Sequence, residues 1–146
     1  MPRDFFENHV KPNYNDWLAA PLDQRLAKNA VADMNNMAAR VFHHWGPGTA
    51  QVFGAKNEGE YRAALAANEC ADFGLIRDVA DAHKHFRLDR PSRQLTHAGQ
   101  TGLGQTGYGE GGYGEGPYGG GDALIVDLDG GTKRHLTAIA ENVMNM

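Results

Sequence analysis

Cysteine is almost missing from this chain: Cys70 is the only one in 146 residues. That excludes an internal disulfide and a cysteine-ligated zinc site, and fits a reducing compartment. No stretch approaches the roughly 18 apolar residues that would span a bilayer. The opening MPRDFFENHV is charged where a secretory leader would be apolar, so the expectation is a cytoplasmic protein with no membrane contact. Basic excess is missing as well. A net charge of −4 leaves no general footprint for nucleic acid, so any such contact has to come from a local patch. Neither an HExxH segment nor a Gly-Lys-Ser/Thr phosphate loop occurs, which removes two common cofactor devices.

What is present fits one domain over residues 1–146, long enough to bury roughly two thirds of the surface of its unfolded chain. The expected class is α+β: a bundle of two or three long helices within 15–90, a glycine-rich flexible loop over 99–121, a β-hairpin over 123–138 and a short helix over 139–146. Residues 1–15, with Phe5, Phe6 and Pro12, read as an irregular arm whose aromatic pair docks on the body. Asn15 or Asp16 caps a short turn that runs into Pro21, at the first position of a helix. From Pro21 to His44 the apolar positions Leu22, Leu26, Ala30, Met34, Met37 and Val41 step by three or four, the helical period. Gly46 and Pro47 end it.

Asn57 followed by Glu60 resembles a capping box and starts a helix from Glu58 to about Ala67. Asp72 restarts the chain as the most amphipathic segment, in which Phe73, Ile76, Ala80 and His83 share one face while Leu75, Val79 and Phe86 share the next. Pro91 closes that run. Arg93–Ala98 alternates weakly enough to suggest a strand. Twelve of the 19 glycines lie between Gly99 and Gly121, where GYGEG occurs twice in succession. Asp129, Gly130 and Gly131 then separate two alternating runs, the signal of a hairpin, and Thr137 caps the last helix.

Four groups of side chains invite chemistry. Arg77 offers a fixed fork of donors to a phosphate, while His83 and His85 titrate near neutrality, a combination suited to phosphodiester cleavage. The structural alternative pairs Arg77 with Asp81 one turn on and makes His83 a hydrogen-bonded core residue. His43, His44, His83 and His85 are metal-ligand types, but adjacent histidines diverge by about 100° on a helix, so no metal or other cofactor is expected. Tyr108, Tyr113 and Tyr118 recur every five residues in the glycine segment and suit a protein partner held through residues 102–120, or simply rest on a flexible connection. Lys84, Arg87, Arg90 and Arg93 form a basic run that either meets RNA phosphates or is a solvated helix end.

An arginine followed by a polar residue and, a few positions on, a histidine on an amphipathic helix resembles the motif of HEPN domains, here as Arg77, Asp78 and His83 within residues 15–90. The segment DAHKHF is also similar to uncharacterised bacterial proteins with a helix followed by strands. The HEPN resemblance implies a helical bundle, a homodimer, and in many members a metal-independent ribonuclease of defence or toxin–antitoxin systems. It implies His83 as acid or base, Arg77 on the phosphate, Asp78 orienting one of them, and two copies of the motif facing each other. Lys84, His85 and Arg87 would add contacts to RNA. Wide apolar faces on few helices also suggest a homodimer. The alternative is a non-enzymatic interaction module that works through its glycine- and tyrosine-rich loop.

Overall fold

A computed structural model describes residues 1–106 and 121–146. The fold is α+β. Six helical segments, α1 (Pro2–Phe5), α2 (Lys11–Ala19), α3 (Gln24–Trp45), α4 (Glu58–Asn68), α5 (Asp72–His85) and α6 (Leu136–Met144), accompany an antiparallel sheet of order β1-β2-β3, made of β1 (Thr101–Thr106), β2 (Gly121–Asp127) and β3 (Lys133–His135). α5 lies in the middle, packed on α3, α4 and α6, and its Ile76 is fully enclosed.

The long third helix forms where the periodicity puts it but starts at Gln24 instead of Pro21, and Asn15 and Asp16 lie inside α2 instead of capping a turn. Asp23 caps α3: Oδ1 accepts from the N–H groups of Arg25 at 2.9 Å and Leu26 at 3.1 Å, satisfying donors that the first turn leaves free. Pro21 lies in the preceding turn. At the other end Gly46 takes φ +91°, a conformation costly for any residue with a Cβ. Asn57 caps α4 as expected, accepting from Glu60 N–H at 2.8 Å, while the Glu60 carboxylate reaches back to Lys56 N–H.

Residues 1–15 are helical rather than an irregular arm. Between α1 and α2 the chain makes one π-helical turn, Phe6–Val10, in which Lys11 N–H bonds Phe6 C=O. Widening the helix just before Pro12 accommodates a residue that has no N–H and whose ring crowds the preceding turn. The aromatic docking does occur, since Phe5 and Phe6 pack half-buried against the core.

α5 ends at His85, six residues before Pro91, through a tight turn in which Phe86 has φ +66° and Arg87 N–H bonds His85 C=O at 2.8 Å. The chain then folds back. The buried Asp78 carboxylate holds this return by accepting from Arg90 and, at 2.7 Å, from Gln94 N–H, and Leu88 and Leu95 plug into the core. Residues 93–98 are not a strand. Three of their backbone donors are taken by side chains, Gln94 N–H by Asp78 and the N–H groups of Thr96 and His97 by Gln100 Oε1, and Arg93 N–H turns back to Arg90 C=O, which breaks any continuous ladder. Only an isolated bridge, Arg87 with His97, remains.

The first strand instead comes from the glycine-rich segment expected to be a loop. Thr101–Thr106 pairs with Gly121–Val126, Gly104 facing Ala123. A Cβ on Gly104 would stand 3.3 Å from Ile125 Cγ1, so glycine here lets the Ile125 side chain lie against the strand. The hairpin turn is as expected, with Gly131 N–H bonding Leu128 C=O at 2.9 Å and Gly131 at φ +91°. The last helix begins one residue after His135, and Thr137 lies inside it rather than at its cap.

No described helix is long and apolar enough to cross a membrane.

Candidate functional site

α3 runs beside α4 and α5, and on the side where they meet the facing side chains are small: Ala32 and Ala39 on α3, Ala80 on α5. Small residues leave the space between the helices unfilled. The result is a groove of about 660 Å³, open to solvent. Polar residues line it from three elements, Lys28, Asn29, Asn35 and Asn36 from α3, Glu58 and Arg62 from α4, and Arg77, Asp81, His83 and Lys84 from α5.

Four of these carry a fixed positive charge and two a negative one, so the cations outnumber the carboxylates although the whole chain is acidic. The carboxylates are also committed. Glu58 accepts from Arg62 at 3.2 Å and pairs with His43 at 3.0 Å, and the bond to His43 is the main reason its carboxyl titrates below the usual range. Asp81 accepts from Arg90 at 2.6 Å. Arg62 is itself clamped, donating to Asn35 Oδ1 at 3.0 Å and to Asn35 C=O at 3.2 Å.

Arg77 is the exception. Its nearest carboxylate oxygen, on Asp81, is 4.0 Å from Nε, beyond hydrogen-bond reach, and Nε is buried with no hydrogen-bond partner. Burial, then the neighbouring guanidinium of Arg90, draws its pKa down from the ordinary arginine value. An incompletely paired, partly desolvated guanidinium beside two others is a receptor for an anion. The expected i, i+4 pair with Asp81 is present only as this long contact, because Arg90 holds that carboxylate.

His83 is half-buried on the same wall. Its Nδ1 lies 2.8 Å from Val79 C=O; a carbonyl only accepts, so Nδ1 carries the proton and Nε2 is the free base in the neutral ring. Burial lowers the His83 pKa below its ordinary value; the bond to Val79 opposes this and the charge of Lys28 adds to it. The ring is therefore neutral at physiological pH.

Comparison with protein families, with curated proteins and with solved structures finds no match for this chain.

Of the side chains singled out by sequence, the fold brings Arg77, His83 and Lys84 to one groove. Asp78 does not join them. It is buried, at 4% exposure, and serves the return loop through Arg90 and Gln94. His85 and Arg87 are exposed at and beyond the end of α5 and are not among the groove residues. Within the basic run, Arg90 is spent on Asp78 and Asp81, and Arg93 donates to Thr96 Oγ1 and Arg90 C=O. Tyr108, Tyr113 and Tyr118 lie outside the described residues. Among the described residues no group of three or more potential metal ligands gathers, and His43 is engaged by Glu58 instead.

Lys28, Asn35 and Arg62 were not legible as site residues. The available signal is faint: Lys28, Ala32, Asn35, Asn36 and Ala39 make a polar and small stripe at helical spacing on a helix whose other face is apolar.

Proposed function

We propose that this protein is an RNA-directed, metal-independent phosphodiesterase whose strand lies in the groove between α3 and α5. The observation that carries the reading is that Arg77 and His83 line one solvent-open groove, the arginine short of a partner and the imidazole held as a free base. RNA supplies what such a pair can use. Nε2 of His83 takes the proton of a ribose 2′-hydroxyl, whose oxygen attacks the adjacent phosphorus while the bond to the 5′-oxygen breaks, leaving a cyclic phosphate and a 5′-hydroxyl. Arg77 holds the phosphate oxygens as charge builds on them, and Lys28 and Lys84 extend the cationic track. The HEPN resemblance supplies the rest: a homodimer in which the second copy of His83 protonates the leaving 5′-oxygen.

The test is incubation of the purified protein with total RNA in EDTA. Cleavage that survives chelation, falls about 10²-fold or more in His83→Ala and Arg77→Ala, and stays near wild type in Arg87→Ala is the expected result. The rate should fall as pH drops through a His83 value below about 6.5, because only the neutral ring accepts the proton. RNA that is neither cut nor retarded, or cleavage unchanged in His83→Ala, overturns the reading.

A further inference from the structure

The face of α3 turned away from the groove borders a second opening, of about 300 Å³, where the π-helical turn, α3, α4, α5 and the end of α6 converge. Its lining is apolar almost throughout. Four of the five methionines in the chain, Met34, Met37, Met144 and Met146, meet here, with Phe6 from the π turn and Tyr61 from α4. Methionine is unbranched and polarisable, so a wall of it adapts to ligands of varied outline.

No charged side chain lines the opening, and the one hydroxyl among its lining residues is that of Tyr61, a buried residue. Burial, with the charge of Glu69 adding to it, raises the Tyr61 phenol, so it remains a donor at any physiological pH. Volume limits the occupant. At about 30 Å³ per water, the space holds a molecule of roughly ten non-hydrogen atoms. A second copy of the chain is a poorer fit, because a stable protein interface engages roughly 20–30 residues a side and this opening is lined by twelve.

We propose that this pocket binds a small uncharged hydrocarbon bearing one carbonyl or hydroxyl oxygen, with Tyr61 donating to that oxygen. The ligand site is separate from the RNA groove and stands whether or not that groove cleaves RNA.

Binding is read by fluorescence enhancement of the small uncharged dye 1-naphthylamine and its displacement. Three competitors of nearly equal size separate the terms: 4-phenyl-2-butanone, butylbenzene without the oxygen, and 3-phenylpropanoate with a charge. The ketone should displace the dye best and the carboxylate at least about tenfold worse, since no cation faces the pocket. Tyr61→Phe should weaken the ketone about five- to tenfold, the worth of one hydrogen bond, and leave butylbenzene unchanged. Met37→Trp, at the half-exposed rim, should block the dye while far-ultraviolet circular dichroism stays that of wild type. Absence of dye enhancement, equal displacement by ketone and carboxylate, equal effects of Tyr61→Phe on ketone and hydrocarbon, or dye binding only at dilutions where sedimentation shows a dimer coming apart would each overturn the proposal.

Discussion

Asp72 joins the start of α5 to the sheet with one carboxylate. Its two oxygens accept from Arg134 at 3.1 and 3.0 Å, and Asn142 adds a bond of 2.8 Å. Burial alone would raise this carboxyl, but the donors from Arg134 and Asn142 outweigh it and hold the pKa below the usual aspartate value. Because the folded value lies below the unfolded one, about 3.9, the stabilisation is fully present above pH ~4 and is lost as pH falls through the folded value. Asp72→Asn should cost about 1–3 kcal/mol at pH 7, the range for hydrogen bonds to a charged group. It should also remove part of the acid slope, seen as urea midpoints that vary less than those of wild type below pH 4. Parallel slopes for the two proteins would show that Asp72 gains nothing from these partners. No sequence spacing reveals such a pair, whose members are 62 residues apart. For the same reason the sequence does not show that Asp78 is held by Arg90 and Gln94.

Elements with a strong period were readable, and those held by tertiary bonds were not. α3, α4 and α5 follow their apolar spacing because each buries a stripe, and the Asp129–Gly131 turn follows from residues that tolerate its backbone. The errors have specific causes. Arg93–Ala98 alternates like a strand, but three of its N–H groups go to the side chains of Asp78 and Gln100. Thr101–Thr106 was hidden by glycine, whose lack of a side chain erases alternation yet lets Ile125 cover the strand. Pro12 reads as part of an irregular arm, whereas the π turn ahead of it lets the helix continue. That accommodation is measurable. A proline inside a regular helix costs about 3 kcal/mol; here Pro12→Ala should change stability by less than about 1 kcal/mol in urea denaturation. A gain near 3 kcal/mol would mean that the helix is strained at Pro12 after all.

The groove depends on α3, α4 and α5 being fixed against one another, and α6 ties the sheet to them by packing on α5 as well as on β2 and β3. Thr106 stands directly opposite Gly121 in the register, so the strands β1 and β2 have already met where residues 107–120 leave and return. Two residues of Asn-Gly, the preferred turn for such a pair, should therefore replace those fourteen without moving either strand. Loop closure scales as (3/2)RT ln n, which makes the shorter connection more stable by about 1–2 kcal/mol. The replacement also removes Tyr108, Tyr113 and Tyr118, and so separates the two readings of the chain. If the groove is the working site, the shortened protein melts higher and cuts RNA at the wild-type rate. If it melts higher but RNA cleavage is lost, residues 107–120 belong to the site and the groove alone is insufficient. A lower melting temperature would mean that the β1–β2 register depends on the residues removed, and would count against the pairing from which the prediction starts.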